Sequence, residues 1–524
     1  CQPRETPVER ANRERILLRA NGTEPSALDP HLVTGVSEHN IISALLEGLT
    51  RPNAETLEPE PGVAESWEIS DDGRVYTFHL RDNARWSNGD PVTADDFVFA
   101  YRRILSPKLG AYYAALLYPI QNAEAYHLGD LDDFAQVGVK ALDTHTLEIT
   151  LAEPTPYLLS LMTHYTWFPV HPPTILKHGD IDQRASRWTR PGNYVGNGPF
   201  VLKEWNVHEL VDVERNPEYW DRDNLWLNGV RFLPIDNLNT EERAFRAGQI
   251  HMSYALPLQK VDHYREHQPE TLFIAPYLGV YYYAINVRNP PLNDVRVRRA
   301  LALAINRESI AENVLRAGQQ PAYHFTPPKT AGYTAEAGLP VGYEENLAEA
   351  RNLLAEAGFP NGEGFPEIEL LYNTSESHKT IAEAVQRMWK TELGINARLI
   401  NQDWKVYLQS RQEGNFEVVR AGWIADYVDP SSFLDLMASW SGNNVSGWAS
   451  EEYDRLIREA ATAQNREERY AIFKQAESIL MDEVPVIPVY FYVSAYLINP
   501  AVKGWHPNIL DKHPYQAIRL ESEP

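Results

Sequence analysis

The chain has 524 residues, 43% of them hydrophobic, and a formal net charge of −24 at pH 7. A chain of this length can bury a large core and suggests two to four domains. The acidic balance and the lack of a basic run argue against a nucleic-acid partner, which is bound through clustered Lys and Arg. No apolar window approaches the roughly 18 residues of a membrane-spanning helix.

The only cysteine of the chain is Cys1. A sole cysteine in this position is typical of a lipoprotein whose signal peptide has been removed, and the alternative is an arbitrary start of the sequence. The several acyl chains of a lipoprotein cysteine would hold the protein at a membrane, because stable anchoring needs more than one chain. Since the segment after Cys1 is polar, we predict a lipoprotein tether over residues 1–15.

The first half of the chain predicts a mixed α/β domain. Residues 15–20 have the apolar character of a strand. Residues 39–49 place apolar side chains at helical spacing, and residues 76–80 alternate as a strand. Thr93 followed by Asp96 predicts a capped helix start.

Residues 47–170 are predicted to form a subdomain inserted into this first domain. The stretch ends near an aromatic run at 164–168 and a Pro-rich turn at 171–173. Glycines and a proline mark turns at 192–199, and another strand is predicted at 200–202.

The second half of the chain predicts alternating helices and strands. The expected elements are helices at 294–303, 347–354, 380–393 and within 453–480, and a strand at 395–400. Gly394 is expected to end the third of these helices. The arginines near the start of the first helix are predicted to lie on solvated or ion-paired faces; they are Arg296, Arg298 and Arg299.

Two β-favouring runs, 275–283 and 484–497, are predicted to carry the chain from one lobe to another. Both crossings, near 278 and near 493, lie far inside the chain, so one lobe is inserted into the other, as in a hinged cleft. The predicted division is a tether at 1–15, lobe I from 16–46, 171–278 and 494–524, the inserted subdomain at 47–170, and lobe II at 279–493. The fold class is α/β.

The stretch 420–430 places a carboxylate, Asp426, at the end of an apolar run that predicts a buried strand. A buried carboxylate needs a cation. One possible cation is Arg420, within the protein. The other is a ligand ammonium that would be held by Asp426 and packed beside Trp423 and Tyr427.

Residues 421–427, Ala-Gly-Trp-Ile-Ala-Asp-Tyr, with Asn443-Asn444 after them, resemble the ligand-contacting segment of periplasmic oligopeptide-binding proteins. These are the extracellular receptors of peptide-importing ABC transporters, within the bacterial extracellular solute-binding proteins of family 5. Further similar motifs occur in family order at 27–30, 47–49, 62–67, 76–81, 197–200 and 291–298. The resemblance therefore spans nearly the whole chain.

The resemblance implies a two-lobed periplasmic-binding-protein fold, type II-like, with an additional inserted subdomain. It implies a receptor and not an enzyme, which captures short oligopeptides in a hinged cleft between lobes and delivers them to the permease of an ABC importer. The expected protein is a monomer without cofactor or metal, periplasmic or at the cell surface, and lipid-anchored to a bacterial membrane through Cys1.

The resemblance also suggests which residues bind the ligand. Asp426 would hold the peptide ammonium, and the candidates for its carboxylate are Arg411, His378 and Arg420. The remaining predicted contacts are Val36, Tyr113, His164, Tyr277, Tyr282, Gly422, Trp423, Asn443 and Tyr492. The sequence departs from the closest family pattern at Thr34, Ala284 and Leu315, each of which stands where a charged residue is usual, so the preferred peptide length and composition stay open.

Two other functions are considered. A receptor of the same family for another small ligand, such as a dipeptide, haem, a nickel chelate or an opine, is one alternative, although the scattered histidines lack metal-ligand spacing. A glycoside hydrolase is the other, since Asp426 and Asp429 are close in sequence. Asp429 precedes Pro430, however, and is expected to start a helix at Ser431.

Overall fold

The computed structural model describes residues 5–463 and 465–521, so Cys1 lies outside the described residues. The chain divides into two compact units, Cys1–Ala255 with Tyr496–Pro524, and Leu256–Ala495. The chain first passes from one unit to the other after Ala255, earlier than the predicted position near 278. The helix at 261–267 already belongs to the second unit, in which Arg265 donates to the carbonyl of Arg316. The predicted lobe and subdomain borders otherwise stay predictions.

Between residues 5 and 255, the first unit contains seven α-helices and ten strands. The helices are α1 (Pro7–Glu14), α2 (Val36–Leu45), α3 (Ala94–Ile104), α4 (Ala123–Leu128), α5 (Leu158–Leu161), α6 (Pro172–His178) and α7 (Leu238–Arg246). The strands are β1 (Ile16–Ala20), β2 (Thr50–Pro52), β3 (Pro59–Pro61), β4 (Ala64–Ile69), β5 (Val75–Leu80), β6 (Val139–Asp143), β7 (Thr146–Thr150), β8 (Phe200–Asn206), β9 (Leu210–Arg215) and β10 (Gly229–Leu233).

Two four-stranded sheets organise this unit. One has the order β1-β10-β9-β8, in which only β1 and β10 are parallel, and the other is antiparallel in the order β4-β5-β7-β6. The predicted strand at 76–80 is confirmed as β5, whose residues alternate between buried and partly exposed. The capped start of α3 is also confirmed, since the backbone N–H of Thr93 donates to Asp96 at 2.9 Å.

The tether prediction is wrong for residues 7–14, which form α1. A capping box begins this helix, because Thr6 and Glu9 exchange hydrogen bonds between side chain and backbone. Val8 and Ala11 are buried against Leu18 of β1. The sequence did not predict this helix because only two of its residues face the core and the residues around them are polar.

The second unit contains nine helices and six strands among its described residues. The helices are α8 (Val261–His267), α9 (Val295–Leu303), α10 (Arg307–Ser309), α11 (Tyr343–Glu356), α12 (Glu376–Leu393), α13 (Trp404–Glu413), α14 (Ser431–Leu434), α15 (Glu451–Ala461) and α16 (Arg466–Glu483). The strands are β11 (Leu272–Ile285), β12 (Gln320–Pro321), β13 (Ile368–Asn373), β14 (Ala397–Gln402), β15 (Val418–Ile424) and β16 (Val486–Leu497), the last of which runs back into the first unit. Strands β17 (Val502–Lys503) and β18 (Arg519–Leu520) then pair within the first unit.

A six-stranded sheet with the order β12-β16-β11-β15-β13-β14 is the centre of the second unit. Strands β14 and β15 both run parallel to β13 and are connected through α12 and α13, whereas β11 runs antiparallel to β15. The α/β prediction is confirmed by this arrangement. Gly394 ends α12 with a φ of 70°, the left-handed conformation that the sequence predicted for it.

The arginines of α9 behave differently from one another. Arg296 pairs with Asp294, and Arg299 lies within 3.7 Å of Glu349 and Asp482, as predicted. Arg298 is only 4% exposed and donates to the backbone carbonyls of Leu292, Asn293 and Glu483. The prediction of a solvated or ion-paired face is therefore wrong for Arg298, whose guanidinium instead donates to carbonyl groups in the loop before α9 and at the end of α16.

Candidate functional site

The predicted amine-binding residue, Asp426, lies two residues beyond the end of β15. Its side chain is buried, and its backbone N–H donates to the hydroxyl of Ser432 at 3.0 Å. Trp423, at the end of β15, is also buried and donates from its indole nitrogen to the carbonyl of Ser432 at 2.6 Å. One residue of α14 thus fixes both of these predicted ligand contacts.

Asp429 lies two residues before α14, which begins at Ser431 as predicted. Its Oδ1 atom accepts hydrogen bonds from the backbone N–H of Ser431 at 2.9 Å and from the Ser431 hydroxyl at 2.7 Å. The same carboxylate is bound by two nitrogens of Arg469. This engagement gives Asp429 a local structural partner and does not favour the carboxylate pair of a glycoside hydrolase.

Arg420, in the middle of β15, is partly buried and contacts neutral groups. Its guanidinium donates to the hydroxyl of Tyr492 at 2.7 Å and to the Asn373 side-chain oxygen at 3.3 Å, and it lies 4.7 Å from the centre of the Tyr281 ring. Asp426 is not among its partners in the described part of the chain. The alternative in which Arg420 neutralises Asp426 is therefore wrong, because Arg420 points across the face of the sheet toward β11 and β16.

The register of β15 on β11 divides the predicted residues between two faces of the sheet. Arg420 is opposite Tyr283 and Gly422 is opposite Tyr281, which places these four on one face. Trp423 is opposite Val280 and therefore lies on the other face, the same face as Tyr282. The predicted residues of β15 and β11 therefore do not all share one face of the sheet.

Four tyrosines form an aromatic cluster beside Arg420, and two of them, Tyr281 and Tyr490, were not predicted from the sequence as site residues. The ring of Tyr281 stacks on Tyr490 at 4.8 Å between centroids, and Tyr490 lies 5.3 Å from Tyr492. Tyr277, which was predicted, lies 6.1 Å from Tyr492. The period-two alternation of 281–283 was the available signal that Tyr281 and Tyr282 lie on opposite faces, and the register of β15 on β11 then places Tyr281 on the face of Arg420.

Tyr282 is 2% exposed, and its ring lies edge-on to Phe325 at 5.1 Å. Burial raises the pKa of Tyr282 to about 12, although the nearby charge of Arg411 opposes the shift. These contacts favour a core position for Tyr282, and its predicted role in ligand contact stays a prediction.

Arg411 lies in the last turn of α13 and is only 9% exposed. Within residues 5–463 and 465–521, its guanidinium has neither an ion pair nor a hydrogen bond, and its buried Nε lacks an acceptor. Tyr407 of the same helix donates its hydroxyl hydrogen to the carbonyl of Arg420. The helix that carries Arg411 is thereby tied to the strand that carries Arg420.

His378 and Asn443 complete the predicted residues of the second unit. The His378 ring lies 5.7 Å from the Tyr281 ring, and burial, with a smaller contribution from Arg420, holds its pKa well below the ordinary value for histidine. His378 is therefore expected to be neutral at pH 7 and to offer a hydrogen bond, not a charge. Asn443 is 6% exposed and lies in the loop after α14.

Three predicted residues belong to the first unit. Tyr113 and His164 are both buried, and their rings meet edge-on at 5.1 Å. The Nδ1 atom of His164 lies 2.9 Å from the Thr166 hydroxyl. Val36 is the first residue of α2 and is partly exposed. Tyr113 and His164 thus form one cluster.

The described residues contain no group of three or more His, Cys, Asp or Glu side chains that could hold a metal ion. The helices among those residues include none that is long and apolar enough to cross a membrane.

Comparison with known proteins places these features in context. Residues 58–445 match the model of the bacterial extracellular solute-binding proteins, family 5. The chain is 42% identical to the periplasmic oligopeptide-binding protein OppA of Salmonella typhimurium over 504 residues, which cover 94% of this chain and 90% of that protein. It is 41% identical to the periplasmic murein peptide-binding protein MppA of Escherichia coli, with the same coverage.

Solved structures agree with the fold. The murein tripeptide-binding protein MppA of Escherichia coli superposes with a TM-score of 0.93 at 39% identity, covering 97% of this chain and 99% of the other. OppA of Haemophilus influenzae, in complex with the peptide RPPGFSPFR, superposes with a TM-score of 0.92 at 36% identity and the same coverage. These similarities confirm the predicted two-lobed fold.

Proposed function

The chain belongs to the bacterial extracellular solute-binding proteins of family 5, and from this premise we propose that it captures short oligopeptides and delivers them to an ABC importer. The structures of similar proteins include a complex with a peptide and a murein tripeptide-binding protein. The relatives are described as binding proteins, which supports a receptor and not an enzyme.

One observation carries the proposal: two cations of the second unit, Arg411 and Arg420, have no carboxylate partner among the described residues, and a buried acid, Asp426, lies beyond the strand that carries Arg420. Burying a guanidinium without a carboxylate costs free energy. A ligand carboxylate would offset that cost. A short peptide in its zwitterionic form supplies one carboxylate for the cations and one ammonium for Asp426.

Because the proposed charged contacts are made with the two ends of the peptide, we expect weak discrimination among the side chains of the ligand. Peptide receptors can obtain much of their affinity from main-chain hydrogen bonds to an extended ligand, which do not depend on side-chain identity. Charged groups at the two ends then fix the register of the ligand. The aromatic side chains around Arg420 supply rigid apolar surface beside the peptide.

The proposed location is periplasmic, as for the described relatives. A lipid anchor on Cys1, a monomeric state and contact with a membrane permease remain our proposals. Mass spectrometry of the N-terminal peptide from the native host tests the anchor directly. A mass without acyl chains would contradict it.

Native mass spectrometry of the purified protein, followed by calorimetry, tests the function. We expect co-purified masses that correspond to peptides, and we expect a tripeptide to bind more tightly than its N-acetylated or C-amidated form. A co-purified haem, chelate or other non-peptide ligand would favour the alternative receptor, and an absence of binding by any short peptide would refute the proposal.

A further inference from the structure

Asp429 and Arg469 form an ion pair next to the predicted amine site. The two terminal nitrogens of Arg469 donate to Oδ2 and Oδ1 of Asp429 at 2.8 and 2.7 Å. The side chains of Arg469 and Asp429 are 16% and 9% exposed. A bidentate pair of this kind fixes direction as well as distance.

The pair connects two distant parts of the second unit. Asp429 belongs to the loop between β15 and α14, whereas Arg469 lies in the first turn of α16. Helix α16 spans 18 residues and buries Phe473, Ala476 and Leu480, so it is a rigid support. The loop is therefore anchored to a packed helix and not only to its own backbone.

Hydrogen bonds lead from this pair to Asp426. Asp429 accepts from the backbone and hydroxyl of Ser431, and its carbonyl accepts from the N–H of Ser432 at 3.1 Å. Ser432 in turn accepts from the backbone of Asp426 through its hydroxyl and from the indole of Trp423 through its carbonyl. The hydroxyl of Ser431 also lies 2.9 Å from that of Tyr427.

We propose that the Asp429–Arg469 pair is a positioning device, which holds Asp426 and Trp423 in the geometry that captures the ligand ammonium. The inference rests on the proposed function. Neither member of the pair needs to touch the ligand, because Ser432, whose N–H donates to the Asp429 carbonyl, is the residue that holds Asp426 and Trp423. An ion pair to the ammonium depends steeply on direction and distance, so a small displacement of Asp426 weakens amine recognition selectively.

The readout is the ratio of two dissociation constants, that of an N-acetylated tripeptide divided by that of the free tripeptide, measured by calorimetry. Asp429→Asn keeps the oxygen that Ser431 uses but weakens the pair with Arg469, and Arg469→Lys keeps the charge but loses the bidentate geometry. We expect Asp429→Asn to lower the ratio at least tenfold, with the binding of the acetylated peptide unchanged within about twofold, and Arg469→Lys to give an intermediate ratio.

Glu452→Gln is the matched control, because Glu452 makes a similar two-contact pair with Arg455 on the exposed surface of the same unit. It should keep the wild-type ratio. Circular dichroism verifies that each variant is folded, and Arg469→Lys serves if Asp429→Asn does not fold.

A wild-type ratio in both folded variants, or an equal loss for both peptides, would show that the pair only stabilises the fold and would overturn the proposal. A wild-type ratio near one would refute amine capture itself, and the positioning role with it. The variants therefore test the positioning role, whereas the wild type tests amine capture, so the two failures can be distinguished.

Discussion

The guanidinium of Arg420 donates a 2.7 Å hydrogen bond to the hydroxyl of Tyr492. Its other contacts in the described part of the chain, with Asn373 and the ring of Tyr281, are also to neutral groups. Residues 5–463 and 465–521 thus hold the positive charge of Arg420 in place without offering it a carboxylate partner. This relationship is what a receptor for a carboxylate requires, because the cation is preorganised before the ligand arrives.

We predict that Arg420→Gln weakens binding of a free tripeptide by roughly 2 to 5 kcal/mol, since it removes one partner of a desolvated ion pair. Binding of the C-amidated tripeptide should change much less, because that ligand has no carboxylate to pair with Arg420. Calorimetry on both peptides measures the difference. Equal losses for the two ligands would mean that Arg420 does not bind the carboxylate.

Arg307 provides a control for Arg420→Gln, because it is a buried arginine whose contacts are purely structural. It is 1% exposed and donates to the carbonyls of Ala302, Ala322 and Pro488 at 2.9 to 3.0 Å. Arg307→Gln leaves buried carbonyls without donors and should lower the melting temperature clearly. Arg420→Gln should lower it much less, and a larger loss of stability for Arg420→Gln would contradict its assignment to the ligand.

A Cβ added at Gly422 would lie 2.5 Å from the hydroxyl oxygen of Tyr492 and 3.1 Å from a terminal nitrogen of Arg420. We therefore predict that Gly422→Ala displaces both side chains and lowers peptide affinity. Adding Tyr492→Phe removes the closest clashing atom, so the double variant should melt at a higher temperature than Gly422→Ala alone. Additive destabilisation by the two changes would show that the clash is relieved in another way.

A buried acid of the second unit predicts a pH dependence of stability. Glu477 is fully buried and accepts from the N–H groups of Phe325 and Thr326 and from the hydroxyl of Tyr333, and burial raises its pKa to about 7 from an ordinary value of 4.5. The folded state holds this proton between those pH values while the unfolded state has lost it. The contribution of Glu477 to stability is therefore complete below about pH 4.5 and falls as the pH rises to 7, by up to about 3 kcal/mol.

Glu477→Gln resembles the protonated acid and removes this titration. The free energy of unfolding of the wild type minus that of the variant, from urea denaturation at pH 4.5 and 7, should decrease with rising pH. A difference that is independent of pH would contradict the raised pKa. Glu452→Gln, at an exposed position, provides the control.

Local patterns predicted the elements of the fold more accurately than the contacts of charged residues. The capping pair Thr93 and Asp96 and the terminating Gly394 are encoded within a few residues, and the structure has them as predicted. Arg298 looked like a surface charge, but it is buried and donates to the carbonyl of Glu483, 185 residues away, as well as to the nearby carbonyls of Leu292 and Asn293. Helix propensity contains no information on such long-range partners.

In the site, too, the sequence predicted local positions but not long-range contacts. The position of Asp426 just beyond a buried strand followed from the apolar run before it, and the structure confirms that position. The partner of Arg420 did not follow, because it depends on which strands flank β15 and on their register. Tyr490 belongs to β16 and Arg469 to α16, and both elements begin at least 40 residues after Asp426 in the sequence.

The central claim is that Asp426 pairs with the ammonium of a bound peptide. A double cycle tests it most directly: calorimetry of the wild type and Asp426→Asn, each with a tripeptide and its N-acetylated form. We predict that either change alone costs roughly 3 to 5 kcal/mol, as expected when one partner of a buried ion pair is removed. The second change should then cost little more, because both remove the same interaction. Additive losses in the double cycle would contradict the pairing and, with it, this account of the site.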